Sequence, residues 1–225
     1  MISIKKIGLK NLCVMALLCA IAFICILLFR FEVGGFLTFD IKDAVLTVAA
    51  LIYGPFAGVL CSGIVTFLEF ILVSDTGIYG LIMNFLSSAT FSFVAGVIYK
   101  YRRSMMGAVI GVITAALSMT IVMLLANLFI TPLFLGVSRG DVVKMLASLL
   151  LPFNLIKSIF NGALVLIIYK PVTQTLRKAK LLALSNNHSY RFNFASVLLM
   201  LISFVVLIGA VLFLVLKMGG TIDLF

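Results

Sequence analysis

The sequence predicts an all-α polytopic membrane protein, and three observations carry that prediction. Hydrophobic residues fill 64% of 225 positions, with a mean hydropathy of +1.32. Charged residues reach only 11%, against about a quarter in soluble domains. Several apolar runs approach twenty residues, the length a helix needs to cross a hydrocarbon core about 30 Å thick. A soluble fold is thereby excluded.

Spans are predicted at 9–29, 41–54, 56–73, 78–99, 106–130, 150–172 and 195–216. The formal net charge of +10 does not indicate a nucleic-acid partner, because the basic residues sit in the short connections between spans. Lys5, Lys6, Lys10, Lys100, Arg102, Arg103, Lys170, Arg177, Lys178, Lys180 and Arg191 fall on one side; Arg30, Lys42, Arg139, Lys144 and Lys217 fall on the other. That asymmetry predicts a cytoplasmic N-terminus and an external C-terminus.

The first span follows a Lys-rich start and lacks a small-residue cleavage site, so it reads as a helix and not as a removable signal. Ala16 and Ala20, four residues apart on one face with Ala22 nearby, would let another helix approach closely in lipid. Alanine is also an ordinary helix former. Beyond this span, RFEVGGFLTFD (30–40) is a long outer loop with two glycines, expected to fold back over the bundle.

YGP at Tyr53 to Pro55 ends the second span in a tight turn, since Pro55 disfavours helix at Gly54 and suits a first helical position. Glu69, near the outer end of the third span, reads as interfacial. Asn84 opens the fourth span with a candidate ligand amide. Asn127 is a polar group inside the fifth, with Pro132 expected to mark the helix end. Asp141 is expected to cap a short helix in the connection that follows.

The sixth span carries the costliest residue of the chain. Lys157 lies inside an otherwise apolar helix, where a basic side chain costs roughly 2.5–3.5 kcal/mol on insertion scales. Asn154, Lys157 and Asn161 recur on one helical face, a polar stripe expected to face the bundle interior. The competing reading has Lys157 snorkelling to the interface. Asn84, Asn127, Asn154 and Lys157 all fall in the outer half of the bundle, where they can converge on one site.

The basic stretch at 174–194 reads as a linker on an anionic leaflet; His188 within it has no evident partner, and the last span carries no ionisable residue. Cys13, Cys19, Cys25 and Cys61 lack metal-ligand spacing and read as apolar packing groups. There is no phosphate-binding loop, HExxH, paired carboxylates or Ser/His/Asp set. Neither catalysis nor a resident cofactor is expected, and any transport would draw its energy from a partner.

The order FLTFD (36–40), YGPFAG (53–58), NFL (84–86), Asn127 followed by TPL, and LPFNLIK (151–157) resembles the riboflavin-binding S components of energy-coupling factor (ECF) vitamin transporters. YGPFAG points to the superfamily, FLTFD and LPFNLIK to the riboflavin member. The resemblance runs from about Leu12 to Tyr169. It implies a six-helix S-component bundle over 1–173, with the linker and an additional transmembrane helix over 195–225 as departures. It further implies riboflavin as transported substrate, with flavin mononucleotide a second candidate. In such a protein Asn127, Asn154 and Lys157 hold the flavin ring, Leu37, Thr38, Phe39 and Asp40 close over it, and Asn84 contributes. Ala16 and Ala20 would dock a transmembrane coupling subunit that carries two ATPases, in a bacterial cell membrane. Val65 and Thr66 stand where the family often has lysine and asparagine. An S component for another vitamin and a non-transport membrane scaffold are the alternative readings.

Overall fold

The computed structural model describes residues 8–181, 198, 201–209 and 212. Their order is α1 (Leu9–Leu28), β1 (Phe31–Val33), β2 (Leu37–Phe39), α2 (Lys42–Tyr53), α3 (Pro55–Leu72), α4 (Gly77–Tyr101), α5 (Met105–Leu135), α6 (Arg139–Met145), a π-helical turn (Leu146–Leu150) and α7 (Leu151–Lys178). Residues 201–209 are helical within the last expected span. Apart from positions 198 and 212, the rest of that span, residues 182–194 of the linker, and His188 lie outside the described residues.

The bundle is built around its shortest long element. Every residue of α2 from Lys42 to Leu51 is buried, and the helix packs against α1, α3, α4 and α7. Twelve residues extend only about 18 Å at 1.5 Å per residue. The span expected at 41–54 is thus a buried central helix that reaches the α2–α3 turn but is too short to cross on its own. Among the described residues, five helical stretches, 9–28, 55–72, 77–101, 105–135 and 139–178, are long and apolar enough to cross a membrane.

The turn from α2 to α3 forms as the sequence predicts. Gly54 adopts φ +103°, a conformation that side chains rarely tolerate, and Pro55 occupies the first turn of α3. Helix α4 runs hard against this corner: a Cβ at Gly96 would lie 2.9 Å from the Cα of Pro55. We call this end, which carries Lys100, Arg102 and Arg103, the basic end, and the opposite one the hairpin end.

Two helix boundaries depart from expectation. Helix α5 continues through Pro132 to Leu135 and stops at Gly136 in the left-handed conformation. A proline this near the end removes one internal hydrogen bond, while Thr131 just before it stays buried and donates to Asn127 Oδ1 at 2.7 Å. The connection after α5 is helical, and residues 139–178 form one rod. Ser138 is its N-cap in place of Asp141: Ser138 Oγ accepts from the Asp141 amide at 3.3 Å and donates to Asp141 Oδ2 at 2.7 Å. Asp141 thus fills the acidic position of a capping box. Pro152 has no N–H to offer the preceding turn, and the π-helical turn sits where the backbone adapts to it.

Residues 30–40 form an antiparallel hairpin, with Phe31 opposite Phe39 and Val33 opposite Leu37. Gly34 and Gly35 make its turn with φ of +65° and +78°. Val33, Leu37 and Phe39 pack on Val142, Leu150 and Phe153, so the first loop folds back over α6 and the start of α7 as expected. Cys19 and Cys61 are buried, whereas Cys13 is exposed and Cys25 half-buried, so packing accounts for only part of the cysteine set.

Candidate ligand-binding site

The stripe on α7 faces inward. Asn154, Lys157 and Asn161 are all buried, which excludes snorkelling for Lys157. Its Nζ donates to Thr38 O at 3.0 Å and to Asp40 Oδ2 at 2.9 Å. Asn161 serves a different purpose from its neighbours. Its Oδ1 accepts from the Ala44 amide at 3.0 Å and its Nδ2 donates to Asp40 O at 3.0 Å, satisfying backbone groups at the start of α2 that the helix itself leaves open.

Asp40 is shared. Its Oδ2 also receives Lys42 Nζ at 2.8 Å, and that ammonium lies 3.1 Å from Glu69 Oε2. Glu69 Oε1 in turn accepts from Asn84 Nδ2 at 3.1 Å. Two expectations are corrected here. Lys42 is not a loop charge and Glu69 is not interfacial; they are 0% and 1% exposed. Each is affordable in an apolar interior because the other, with Asp40, compensates it. A chain of contacts, Asn84–Glu69–Lys42–Asp40–Lys157, thus lies behind the hairpin with its four charges balanced. Asp43 stands beside it, its Oδ1 bonded to the Ser88 hydroxyl. Lys170, also counted among the loop charges, is buried as well.

In front of this chain is a cavity of about 70 Å³ between the hairpin, α4, α5 and α7, open at its mouth. Sites for drug-sized molecules span roughly 300–1,000 Å³, so a guest of that size requires the hairpin or lining side chains to move outward. Phe36, Tyr79, Met83, Met123, Ile130, Phe134 and Phe153 supply apolar wall; Leu37, Thr38, Asn84, Asn127, Asn154 and Lys157 also line it. The four polar residues expected to converge from three helices do so, with Leu37 and Thr38 above them.

Phe39 and Asp40 are not among the lining residues. Phe39 stacks on Phe31 with ring centroids 4.8 Å apart and packs edge-on to Phe160, and Asp40 is consumed by its two lysines. Both hold the hairpin and do not face the cavity. Asn127 donates to Met123 O at 2.7 Å and Asn154 to Leu150 O at 2.8 Å, each one turn back on its own helix. Each side chain is thereby fixed. Sequence reasoning missed Thr76, Ser87 and Thr131, which line the same space. On α4 the signal was available, since Gly80, Met83, Asn84 and Ser87 share a face with the asparagine already singled out. Ala16 and Ala20 lie on the exposed side of α1, while Ala22 faces the core.

The family profile for the ECF transporter, substrate-specific component, matches residues 10–169. The chain belongs to this family. Its curated relatives include the riboflavin transporter RibU of Staphylococcus aureus (strain TCH60), 29% identical over 178 residues that cover 75% of this chain and 93% of that protein. The riboflavin transporter FmnP of Bacillus subtilis (strain 168) is 30% identical over 185 residues, 76% of this chain and 97% of that protein. A solved S component of a bacterial ECF transporter superposes with a TM-score of 0.64 at 29% identity, over 75% of this chain and 98% of that one. This S component is therefore a multi-pass membrane protein of a transporter family, not of an enzyme family, with riboflavin transporters as homologues.

Proposed function

We propose that this S component binds riboflavin in the cavity at the hairpin end and supplies it to a separate energising module for import. The observation that carries the reading is that two riboflavin transporters align with the chain over 93% and 97% of their lengths. The chemistry agrees: aromatic and aliphatic walls suit a planar ring system, and an ammonium with three carboxamides suits its carbonyls and ring nitrogens. In this reading Leu37, Thr38, Asn84, Asn127, Asn154 and Lys157 contact the ligand, and Phe39 and Asp40 position the hairpin over it. The positive charge of Lys157 is already balanced by Asp40, which favours the uncharged vitamin over flavin mononucleotide.

The charge asymmetry of the loops puts the basic end in the cytoplasm and the cavity mouth outside, with the C-terminus external, in a bacterial cell membrane. The exposed Ala16–Ala20 face of α1 is the surface for a transmembrane coupling subunit joined to two ATPases.

The test is direct. Protein purified in mild detergent is inspected for flavin absorption and, once freed of ligand, titrated with riboflavin by fluorescence quenching. Saturable one-to-one quenching supports the assignment. No quenching in folded protein moves the substrate to another vitamin.

A further inference from the structure

Buried hydroxyls on helices in this protein have a consistent habit. Ser62, Thr66, Thr120 and Thr173 each donate to the carbonyl four residues back, at 2.7 to 2.9 Å, and Ser88 gives its proton to Asp43. Ser87 departs from it. The residue is 2% exposed, its Oγ has no hydrogen-bond partner, and it lines the cavity. A buried hydroxyl without a partner is destabilising, and the usual remedy, the carbonyl of Met83 one turn back, is not used.

The level of Ser87 in the bundle is fixed by its neighbours. Ser88 bonds Asp43, which lies three residues from Asp40, the partner of Lys157. Ser87 therefore stands on α4 at about the depth of Lys157 on α7, at the inner end of the cavity. The outer part of the wall is largely apolar, with Phe36, Tyr79, Ile130 and Phe134. A guest that presents a polar heterocyclic edge inward meets the remaining N–H of Lys157 from one side and the Ser87 hydroxyl from the other.

We propose that Ser87 is a further ligand-binding residue, whose hydroxyl donates to a carbonyl oxygen or ring nitrogen on the polar edge of a planar heterocycle, opposite Lys157. The inference rests on the riboflavin reading above, and the two are separable by experiment. Wild-type protein, Ser87→Ala and Ser87→Cys are titrated by fluorescence quenching with riboflavin and with lumiflavin, which has the ring system but no polyol chain, and the ligand-free melting temperatures are compared.

The expected result is a Kd raised about five- to tenfold for both flavins in Ser87→Ala, with the melting temperature equal to or above that of the wild type, because the hydroxyl bonds nothing in the empty protein. Ser87→Cys, nearly the same size but a weak donor, shifts both Kd values in the same direction and carries the test if the alanine variant does not fold. Unchanged affinity for both flavins overturns the proposal. So does a loss confined to riboflavin, which would assign the hydroxyl to the polyol. If the wild-type protein binds neither flavin, the riboflavin reading itself has failed.

Discussion

Replacing Lys157 by methionine tests the site most sharply, because its effects on binding and on stability can be measured separately. Asp40 is bonded to two ammonium groups, and when Lys157 is lost the 2.8 Å bond from Lys42 remains. The carboxylate keeps one ammonium partner, which lowers but does not remove the cost of leaving the buried network one negative charge in excess. Thr38 O loses one donor, a cost of about 1 kcal/mol. The ligand loses more: a hydrogen bond from a charged donor contributes about 1.5–3 kcal/mol, equivalent to a rise in Kd of roughly 10- to 150-fold. Riboflavin titration by fluorescence quenching, with the melting temperature of ligand-free protein measured alongside, gives both quantities. An affinity within twofold of wild type in folded Lys157→Met would refute the assignment of Lys157 as a ligand donor.

Lys42→Met is expected to behave in the opposite way. It strands Glu69 with Asn84 alone and should cost about 3–5 kcal/mol of stability, whereas Lys42→Met combined with Glu69→Gln should recover most of it; thermal unfolding in detergent compares the three proteins. Ala16→Trp and Ala20→Trp should abolish uptake in cells carrying the coupling module while leaving riboflavin Kd unchanged, since both positions are on the exposed side of α1 and bulk there blocks close helix approach. Gly96→Ala should destabilise the α2–α3 corner by about 1–3 kcal/mol, because the new Cβ meets the backbone of Pro55, and a melting temperature equal to wild type would show that the corner yields. Truncation after Lys180 should preserve binding within a factor of about two, since Ile202, Ser203 and Val206 border a groove between α5 and α7 away from the cavity.

Much of the site was legible because membrane burial exaggerates polarity. An asparagine or lysine in an apolar run is costly wherever it stands, so Asn84, Asn127, Asn154 and Lys157 could be found without any knowledge of their neighbours. Lys42 and Glu69 escaped for the converse reason. Both sit near the ends of apolar runs, where a charge is ordinarily solvated, and the compensation that allows their burial comes from different helices. Ser87 escaped because serine is small and unremarkable in a helix until its bonding is known. Among the boundaries, YGP was readable from local chemistry, while α5 ran past Pro132 because Thr131 and Asn127 hold the last turn in place. The two glycines in 30–40 signalled a loop that folds back, but only the packing of Phe39 against Phe153 and Phe160 determines where the hairpin lies.

The Asn161 side chain at the start of α2 also bears on how the protein is made. Helix α2 is buried from its first turn, so its opening amides need partners from the protein, where water is not at hand to satisfy them; Asp40 Oδ1 accepts from the Lys42 amide at 3.2 Å. The group that does so, for Ala44, is 117 residues away along the chain. When α2 leaves the ribosome its complement has not been synthesised. Helices α3 to α5 must therefore be threaded before α2 can settle, and the order of insertion is not the order of final assembly.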